Sequence, residues 1–328
     1  MRKIIALTAA AGLLVTLAAC STAAPSGACE PQVSSGGSSS IVTAVGAFGK
    51  EPLAAFPTPL VTDGIQVSTI DAGQGETVYD GQYANFQATA YDGATGEPLI
   101  AGSYDASQPL TNRVGESSSK LGLALECASV GSRLAITMTA GDLYGFYSVT
   151  EATKGMADAS TSIVVIVDVE GSILGKAYGV DQIPQQGLPS VVTAPDGQPG
   201  ITVPGEAPPT SLKIAVLKQG DGAVVEVGQV IYAHYLRLDW DDPKAASSKK
   251  STWDNFGTPE LLTLSPLDAS TNIGLTTGAL QAIVGQKVGS QILAVVPPSF
   301  GFPTGTAPDG VVDGSTLVYV IDILGVKK

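Results

Sequence analysis

Few side chains in this sequence of 328 residues are of the types that carry out covalent or metal chemistry. His234 is the only histidine, and the Gly-x-Ser-x-Gly turn of a serine hydrolase is absent. We therefore interpret His234, which lies in a β-branched segment beside Tyr235, as a structural residue. The acidic residues Asp239, Asp241 and Asp242 lack the spaced glycine and glutamate of a calcium loop. With one histidine and three cysteines, the sequence favours neither a metal site nor a cofactor.

The first cysteine, Cys20, closes a segment that has the properties of an export signal. Arg2 and Lys3 precede an apolar stretch over residues 4–17, which is shorter than the ~20 residues needed to span a bilayer. The Leu-Ala-Ala-Cys that ends at Cys20 resembles the lipobox of bacterial lipoproteins. This implies that residues 1–19 are a signal peptide and that Cys20 is acylated, so that a secreted chain is anchored to the outer face of the cell membrane. The alternative is an ordinary secretory signal that leaves Cys20 as a free thiol.

The other two cysteines, Cys29 and Cys127, remain as a pair in the oxidising compartment that an exported protein enters. We expect a disulfide between them, which would attach the N-terminal arm to the first folded region. The alternative is two unpaired thiols, one of them exposed in the arm.

The charge of the chain limits its partners. The formal net charge is −13, and removal of Arg2 and Lys3 with the signal peptide would make it −15. Such acidity, without a long basic segment, argues against nucleic acid and against anionic lipid head groups as partners. The remaining 300 or so residues predict two domains rather than one.

Composition divides the mature chain into four regions. Residues 20–44 are rich in Ser, Gly, Pro and Ala, which predicts a lipid tether and a flexible stalk. Residues 45–175 and 211–328 contain short β-branched segments separated by Gly or Asp, as expected of strands. Between them, residues 176–210 are rich in proline and predict a semi-extended linker.

The two strand-rich regions repeat each other. The glycine spacing of Gly73, Gly75 and Gly81 recurs, unchanged, as Gly220, Gly222 and Gly228. Residues 130–133 match 288–291, and residues 160–169 match 314–323, in the same order. We interpret this as a tandem duplication. With one short helix per copy, Thr276–Val284 in the second, the pattern predicts an α+β fold of two domains, each an antiparallel sheet wrapped over a short helix.

The second copy resembles the FKBP-type peptidyl-prolyl cis-trans isomerases over roughly residues 212–326. The resemblance rests on the order and spacing of short motifs: Gly220-Asp221-Gly222, Val227-Gly228, His234-Tyr235, Thr252-Trp253-Asp254, Leu280-Gln281, Lys287-Val288-Gly289, Val296-Pro297-Pro298, Phe300-Gly301-Phe302 and Ser315-Thr316-Leu317-Val318-Tyr319. The first copy resembles a more divergent member from about Val67 to Val169. The duplicated arrangement behind a lipobox resembles actinobacterial members of this family.

The resemblance implies a reaction that needs no nucleophile, metal or cofactor. Rotation about an X-Pro bond has a barrier of ~18–20 kcal/mol because the amide has partial double-bond character. A pocket that binds the twisted amide more tightly than the planar one lowers this barrier. The implied partners are proline-containing exported or unfolded polypeptides, bound by a monomer.

Some residues of the family's pocket have counterparts in this sequence. Tyr235 matches the pocket tyrosine, Leu275 stands where a tryptophan forms the floor, and Phe302 falls where a hydrogen-bonding tyrosine is usual. The substrate pocket that we expect is formed by Tyr235, Trp253, Ile273, Leu275, Phe302, Val311, Val312 and Tyr319.

The family's Phe-Asp pair is missing in both copies. One alignment of the second copy places Ala245-Ala246 there and another places Lys249-Lys250. In the first copy, Ala88 replaces the pocket tyrosine and Leu121 replaces the floor tryptophan, so we expect that copy to be inactive. The sequence therefore predicts an anchored, weakly active FKBP-type isomerase that assists protein folding outside the cytoplasm. The alternative is a non-catalytic polypeptide-binding module built from two degenerate FKBP-like domains.

Overall fold

The computed structural model describes residues 25–116, 119–144, 159–245, 249–254, 257–264, 275–302 and 305–327. The expected signal peptide, Cys20 and Ile273 lie outside these residues. Within the described ranges, no helix is both long enough and apolar enough to cross a membrane.

The N-terminal arm is folded onto the protein from about residue 37. It forms α1 (Gly37–Ser40) and a hairpin of β1 (Thr43–Val45) and β2 (Leu53–Ala55). The flexible stalk expected up to residue 44 therefore ends earlier. The reason is that Ser38 and Ser39 are buried and find polar partners: the Ser38 hydroxyl donates to Gln66 Oε1 at 2.7 Å. Before α1, Cys29 and Cys127 are joined by a disulfide.

The first sheet is antiparallel throughout. It contains β3 (Gln66–Asp71), β4 (Tyr83–Asp92), β5 (Pro98–Ala101), β6 (Leu110–Arg113), β7 (Arg133–Thr139) and β8 (Ser162–Ile173). The strand order is β3-β7-β8-β4-β5, with β6 also paired to β4. The short helices α2 (Lys120–Ala124) and α3 (Ala140–Tyr144) accompany it. Leu121 of α2 packs with Phe86 and Ile136 in a core on one face of the sheet.

The region 176–210, expected to be a semi-extended linker, is instead folded against the second sheet. It contains β9 (Val180–Asp181) and a hairpin of β10 (Ser190–Thr193) and β11 (Pro199–Thr202). Apolar residues between the prolines explain the difference, because Leu188, Val191 and Ile201 pack against a buried face that includes Leu293.

The second sheet repeats the order of the first. It contains β12 (Lys213–Gln219), β13 (Val230–Asp239), β14 (Lys250–Ser251), β15 (Glu260–Thr263), β16 (Gln291–Val296) and β17 (Leu317–Val326). The order is β14-β13-β17-β16-β12-β9, with β15 also paired to β13. The predicted helix is α4 (Thr277–Ile283), and the Thr276 side chain caps it by accepting from the Ala279 N–H. A 3-10 turn (Pro298–Phe300) follows β16.

The repeated glycines occupy equivalent tight contacts in the two sheets. A Cβ atom on Gly73 would lie 2.4 Å from the Val130 carbonyl oxygen, and one on Gly220 would lie 2.3 Å from that of Val288. Each glycine therefore lets the end of one strand approach a neighbouring loop closely. The repeat found in the sequence thus corresponds to a repeated backbone arrangement.

Each sheet also contains a buried pair of polar side chains on equivalent strands. In the first sheet Arg133 lies opposite Asp168, and in the second sheet Gln291 lies opposite Asp322. The guanidinium of Arg133 donates to both Asp168 carboxylate oxygens, at 2.6 and 2.7 Å. Gln291 is neutral and donates one hydrogen bond of 2.8 Å to Asp322. The second carboxylate is thus buried without a direct cationic partner among the described residues.

The two sheets pack against each other through a small apolar cluster. Tyr83 and Ile173 of the first sheet contact Tyr232 and Leu324 of the second, and all four side chains are buried. Beside the cluster, the Asn85 side-chain amide donates to the Tyr232 hydroxyl at 2.8 Å. The residues that join the sheets lie on β4 and β8 and on β13 and β17, at the ends of the long central strands.

Candidate functional site

The buried aromatic residues of the expected pocket lie on the side of the second sheet that faces α4. Tyr235 on β13 and Tyr319 on β17 share one core cluster with Leu275, which immediately precedes the helix cap. The alternation of side chains along β13 directs Tyr235 to this face. All three side chains are 0% exposed. The structure thus brings Tyr235, Leu275 and Tyr319 together, as the floor of the site.

The Tyr235 hydroxyl is held by a carboxylate that sequence reasoning missed. It donates to Glu260 Oε2 at 3.0 Å, and Lys250 Nζ lies 3.1 Å from Glu260 Oε1. The same ammonium lies 5.2 Å from the centre of the Tyr235 ring. Burial raises the pKa of Tyr235, and the negative charge of Glu260 raises it further. The hydroxyl therefore remains protonated and acts as a donor at neutral pH.

A second polar group lies around Tyr319. Its hydroxyl makes side-chain hydrogen bonds with Thr276 and Arg237, while burial raises the pKa of Tyr319 to about 12. Arg237 is buried, and its guanidinium carbon lies 5.8 Å from the centre of the Phe302 ring. This arrangement fixes Phe302 beside the floor and places a cation at its face.

The upper part of the site is formed by loop residues. Phe302 and Val311 are half-buried against the core, whereas Val312 is 69% exposed. The cleft that these three residues line with Pro298 and Leu317 has a volume of only ≈ 10 Å³. Such a space holds about one water molecule. This cleft is therefore too small for a proline ring.

Trp253, which we expected in this pocket, lies beside His234 instead. The two rings are stacked, with centroids 4.7 Å apart and an interplanar angle of 27°. His234 precedes Tyr235 on β13, so its side chain points to the opposite face of the sheet. There its Nδ1 lies 2.8 Å from Thr252 Oγ1, and its Nε2 lies 3.4 Å from the Tyr83 hydroxyl of the first sheet. Burial, with the charge of Arg113, lowers the pKa of His234 to about 4, so the ring is neutral at pH 7.

Asp322 lies on the same face of the sheet as His234, and its burial should make the stability of the protein depend on pH. Burial raises the pKa of Asp322 to about 6, although Ala177 and Gln291 donate hydrogen bonds to it. An unfolded aspartate titrates near 3.9, so the folded state holds this proton more tightly and loses stability as the pH rises from about 4 to about 6. Relative to the parent, Asp322→Asn should therefore gain about 2 kcal/mol of unfolding free energy between pH 4 and pH 7, slightly less than two full pKa units because an unfolded aspartate is already about half ionised at pH 4.

Chemical denaturation of both proteins at pH 4, 5, 6 and 7 measures this change. His234 titrates in the same window with the opposite sign, because its folded pKa is lowered. The difference between variant and parent, rather than the parent curve, therefore isolates Asp322. Asp63→Asn, at an exposed aspartate, is the matched control and should follow the parent. A constant difference between Asp322→Asn and the parent across this range would show that Asp322 is ionised in the folded state throughout.

No family model matches the chain. A stretch of 131 residues is 28% identical to an FK506-binding protein from Streptomyces anulatus, and the match covers 97% of that relative and 39% of this chain. A probable FK506-binding protein from Corynebacterium glutamicum is 29% identical over 128 residues, with the same two coverages. Both matches are to FK506-binding proteins, which supports an FKBP-type family for this chain.

Solved FKBP structures align with larger parts of the chain at low similarity. The three FKBP domains of wheat FKBP73 cover 80% of this chain and 94% of their own length, at 13% identity and a TM-score of 0.32. FkpA from Escherichia coli covers 44% of this chain and 53% of its own length, at 21% identity and a TM-score of 0.30.

This protein departs from the FKBP pattern at the missing Phe-Asp pair. Ala246, one half of the first candidate pair, lies outside the described residues. Lys250, from the second candidate pair, lies in β14 opposite Arg237 and binds Glu260. In the first sheet, Ala88 and Leu121 are buried in the core at the positions that correspond to Tyr235 and the floor. That sheet therefore has no tyrosine hydroxyl at the equivalent of Tyr235.

Proposed function

We propose that this FKBP-type chain is a weakly active peptidyl-prolyl cis-trans isomerase that acts on proline-containing segments of exported polypeptides. The observation that carries the proposal is the Tyr235–Glu260 hydrogen bond above a floor of Leu275 and Tyr319. It supports an apolar pocket with one aromatic ring held in a fixed orientation, in a chain whose relatives are FK506-binding proteins.

Catalysis requires the pocket to bind the twisted amide of the transition state more tightly than the planar amide of the ground state. When the X-Pro amide twists, conjugation is lost and the ring nitrogen and carbonyl no longer lie in one plane. Aromatic and aliphatic side chains stabilise the desolvated ring, and the hydrogen bond from Tyr235 to Glu260 holds one of the aromatic rings in position. Only interactions that are stronger with the twisted amide accelerate rotation. Because Tyr235, Leu275 and Tyr319 are fully buried, we expect a low rate.

The alternative function is a polypeptide-binding module without turnover. The small cleft beside Phe302 and Val311 favours it, since a site that is filled by its own side chains binds chain segments only at its rim. The exposed Val312 would then contribute to that rim.

The proposal extends to the organisation of the whole chain. We propose two FKBP-like domains, over residues 45–175 and 211–328, with an inactive first domain. We also propose that Cys20 is acylated after removal of residues 1–19, which would hold a monomer at the outer face of the membrane. The lipobox-like Leu-Ala-Ala-Cys supports this location.

The test is isomerisation of a short X-Pro peptide by the purified chain and by its Tyr235→Phe variant. We expect measurable acceleration by the parent and a loss of about tenfold in kcat/KM for Tyr235→Phe, equivalent to ~1.4 kcal/mol of transition-state stabilisation. The ring and its packing are preserved in this variant, so the melting temperature should change little.

Tyr79→Phe is the matched control, because it removes a tyrosine hydroxyl that binds the Gly27 carbonyl and lies outside the site. It should retain the parent rate. A parent rate equal to the uncatalysed rate contradicts the isomerase proposal. If such a protein still binds a permanently unfolded, reduced polypeptide, the binding-module alternative is supported.

A further inference from the structure

A cleft lies between the two sheets, away from Tyr235. Its volume is ≈ 340 Å³, within the range of ~300–1,000 Å³ typical of ligand sites. Its apolar walls come from both sheets and from the N-terminal hairpin: Phe48, Pro109, Val130, Ile173 and Val326. It is therefore a composite cleft that neither sheet forms alone.

The floor of the cleft carries an ordered hydroxyl group. Tyr232 is only 6% exposed, and its hydroxyl accepts a hydrogen bond of 2.8 Å from Asn85 Nδ2. Asn85 Oδ1 in turn accepts from the Thr111 hydroxyl at 2.8 Å. The hydroxyl oxygen has a second lone pair, which can accept a hydrogen bond from a ligand.

A half-buried carboxylate, Glu170, lines the same cleft. Burial raises the pKa of Glu170, and the nearby charge of Asp168 raises it further, while a hydrogen bond with Gln87 lowers it. Arg133, a buried cation of the same sheet, is already engaged by Asp168 and by the carbonyl oxygens of Gly46 and Ala47. Among the described residues, Glu170 forms no ion pair.

The remaining charges at the cleft leave it acidic. Lys327 Nζ donates to the Ser107 carbonyl oxygen at 2.5 Å, which holds this ammonium at the side of the cleft. Glu76 is exposed on the lining. The carboxylates of Glu170 and Glu76 outnumber the ammonium of Lys327, which is already hydrogen-bonded to Ser107. The lining therefore favours a positively charged ligand.

The apolar surface continues beyond the cleft along the N-terminal hairpin. Phe48 lies in the turn between β1 and β2 and is 46% exposed, while the paired residues Val45 and Leu53 are 67% and 73% exposed. A ligand that also covers these side chains must be larger than a small-molecule amine. An extended polypeptide with apolar residues next to a basic one fits both features.

We propose that the cleft between the sheets binds the cationic side chain of an arginine or lysine within an extended, apolar polypeptide segment, at Glu170 and the Tyr232 hydroxyl. The aliphatic stem of such a side chain packs on apolar walls while its charged end forms a charge-assisted hydrogen bond. This site is separate from the Tyr235 site and does not depend on isomerase activity.

The test uses fluorescence anisotropy with two labelled, proline-free octapeptides that are rich in leucine. One has a central arginine, and the other has citrulline, which keeps the shape but lacks the charge. The complete chain should bind the arginine peptide about tenfold more tightly than the citrulline peptide, a usual ratio for one charge-assisted contact. In Glu170→Gln the two affinities should become equal, through weaker binding of the arginine peptide.

Glu97→Gln is the matched control, since Glu97 is exposed and does not line the cleft. It should bind both peptides as the parent does. Phe48→Ser tests the apolar contact and should weaken both peptides by the same factor. Equal affinities of the parent for the two peptides, or an undiminished preference in Glu170→Gln, would overturn the proposal. Because the peptides contain no proline, either result leaves the isomerase proposal untouched.

Discussion

Replacement of Arg133 by methionine should lower the free energy of unfolding by about 3–5 kcal/mol, the cost of removing one partner from a buried ion pair. Arg133 and Asp168 are 2% and 1% exposed, and two hydrogen bonds join them. Methionine fills much of the volume but leaves the Asp168 carboxylate buried without its cation. The carbonyl oxygens of Gly46 and Ala47 lose their donors as well, so the N-terminal hairpin should loosen.

Chemical denaturation measures this loss, and two further variants define its cause. The double variant Arg133→Met with Asp168→Leu should recover most of the stability, since it removes the unpaired charge. Lys218→Met is the matched surface control: Lys218 pairs with Asp181 at the same 2.6 Å, but Asp181 is exposed, so the change should cost about 1 kcal/mol or less. A loss at Arg133 no larger than at Lys218 would show that burial of the pair is not what stabilises it.

Removal of the disulfide should have an effect of similar size. Cys29 and Cys127 are 98 residues apart in sequence, and a crosslink that closes a loop of this length restricts the unfolded chain by about 4.7 kcal/mol in the chain-entropy model. The double variant Cys29→Ser with Cys127→Ser should lose most of this free energy. The native arm also loses an anchor, beside the hydrogen bonds of Gln32 with Glu126 and of Tyr79 with Gly27.

Reductant provides the internal control for this prediction. Dithiothreitol should lower the denaturation midpoint of the parent toward that of the double serine variant and should leave the variant unchanged. An identical midpoint for the parent with and without reductant would contradict a stabilising disulfide.

Much of the fold follows from two sequence signals. Short β-branched segments predict the strands, and the glycine spacing shared by Gly73 and Gly220 predicts equivalent turns, because a Cβ atom at either position would overlap a backbone carbonyl. The hairpin of β10 and β11 was missed because proline content was weighed above the alternating apolar residues Val191 and Ile201. Packing partners such as Leu293 come from more than 90 residues away along the chain, and no local pattern contains them.

The site was predictable only where a regular strand determines the face. Tyr235 and Tyr319 lie in long strands, so their common face follows from alternation. Trp253 follows the two-residue strand β14, whose register with β13 decides the face and cannot be derived from spacing. Glu260 was missed for a related reason: it pairs with Ala233, which brings it diagonally next to Tyr235 across the strands. A glutamate that begins an otherwise apolar strand was the one available signal.

The cluster of Tyr83, Ile173, Tyr232 and Leu324 has a consequence for synthesis of the chain. Tyr83 and Ile173 are made first, and until β13 and β17 have followed them, their apolar face has no covering surface. We therefore expect the first half to expose these two side chains during synthesis until the second half covers them.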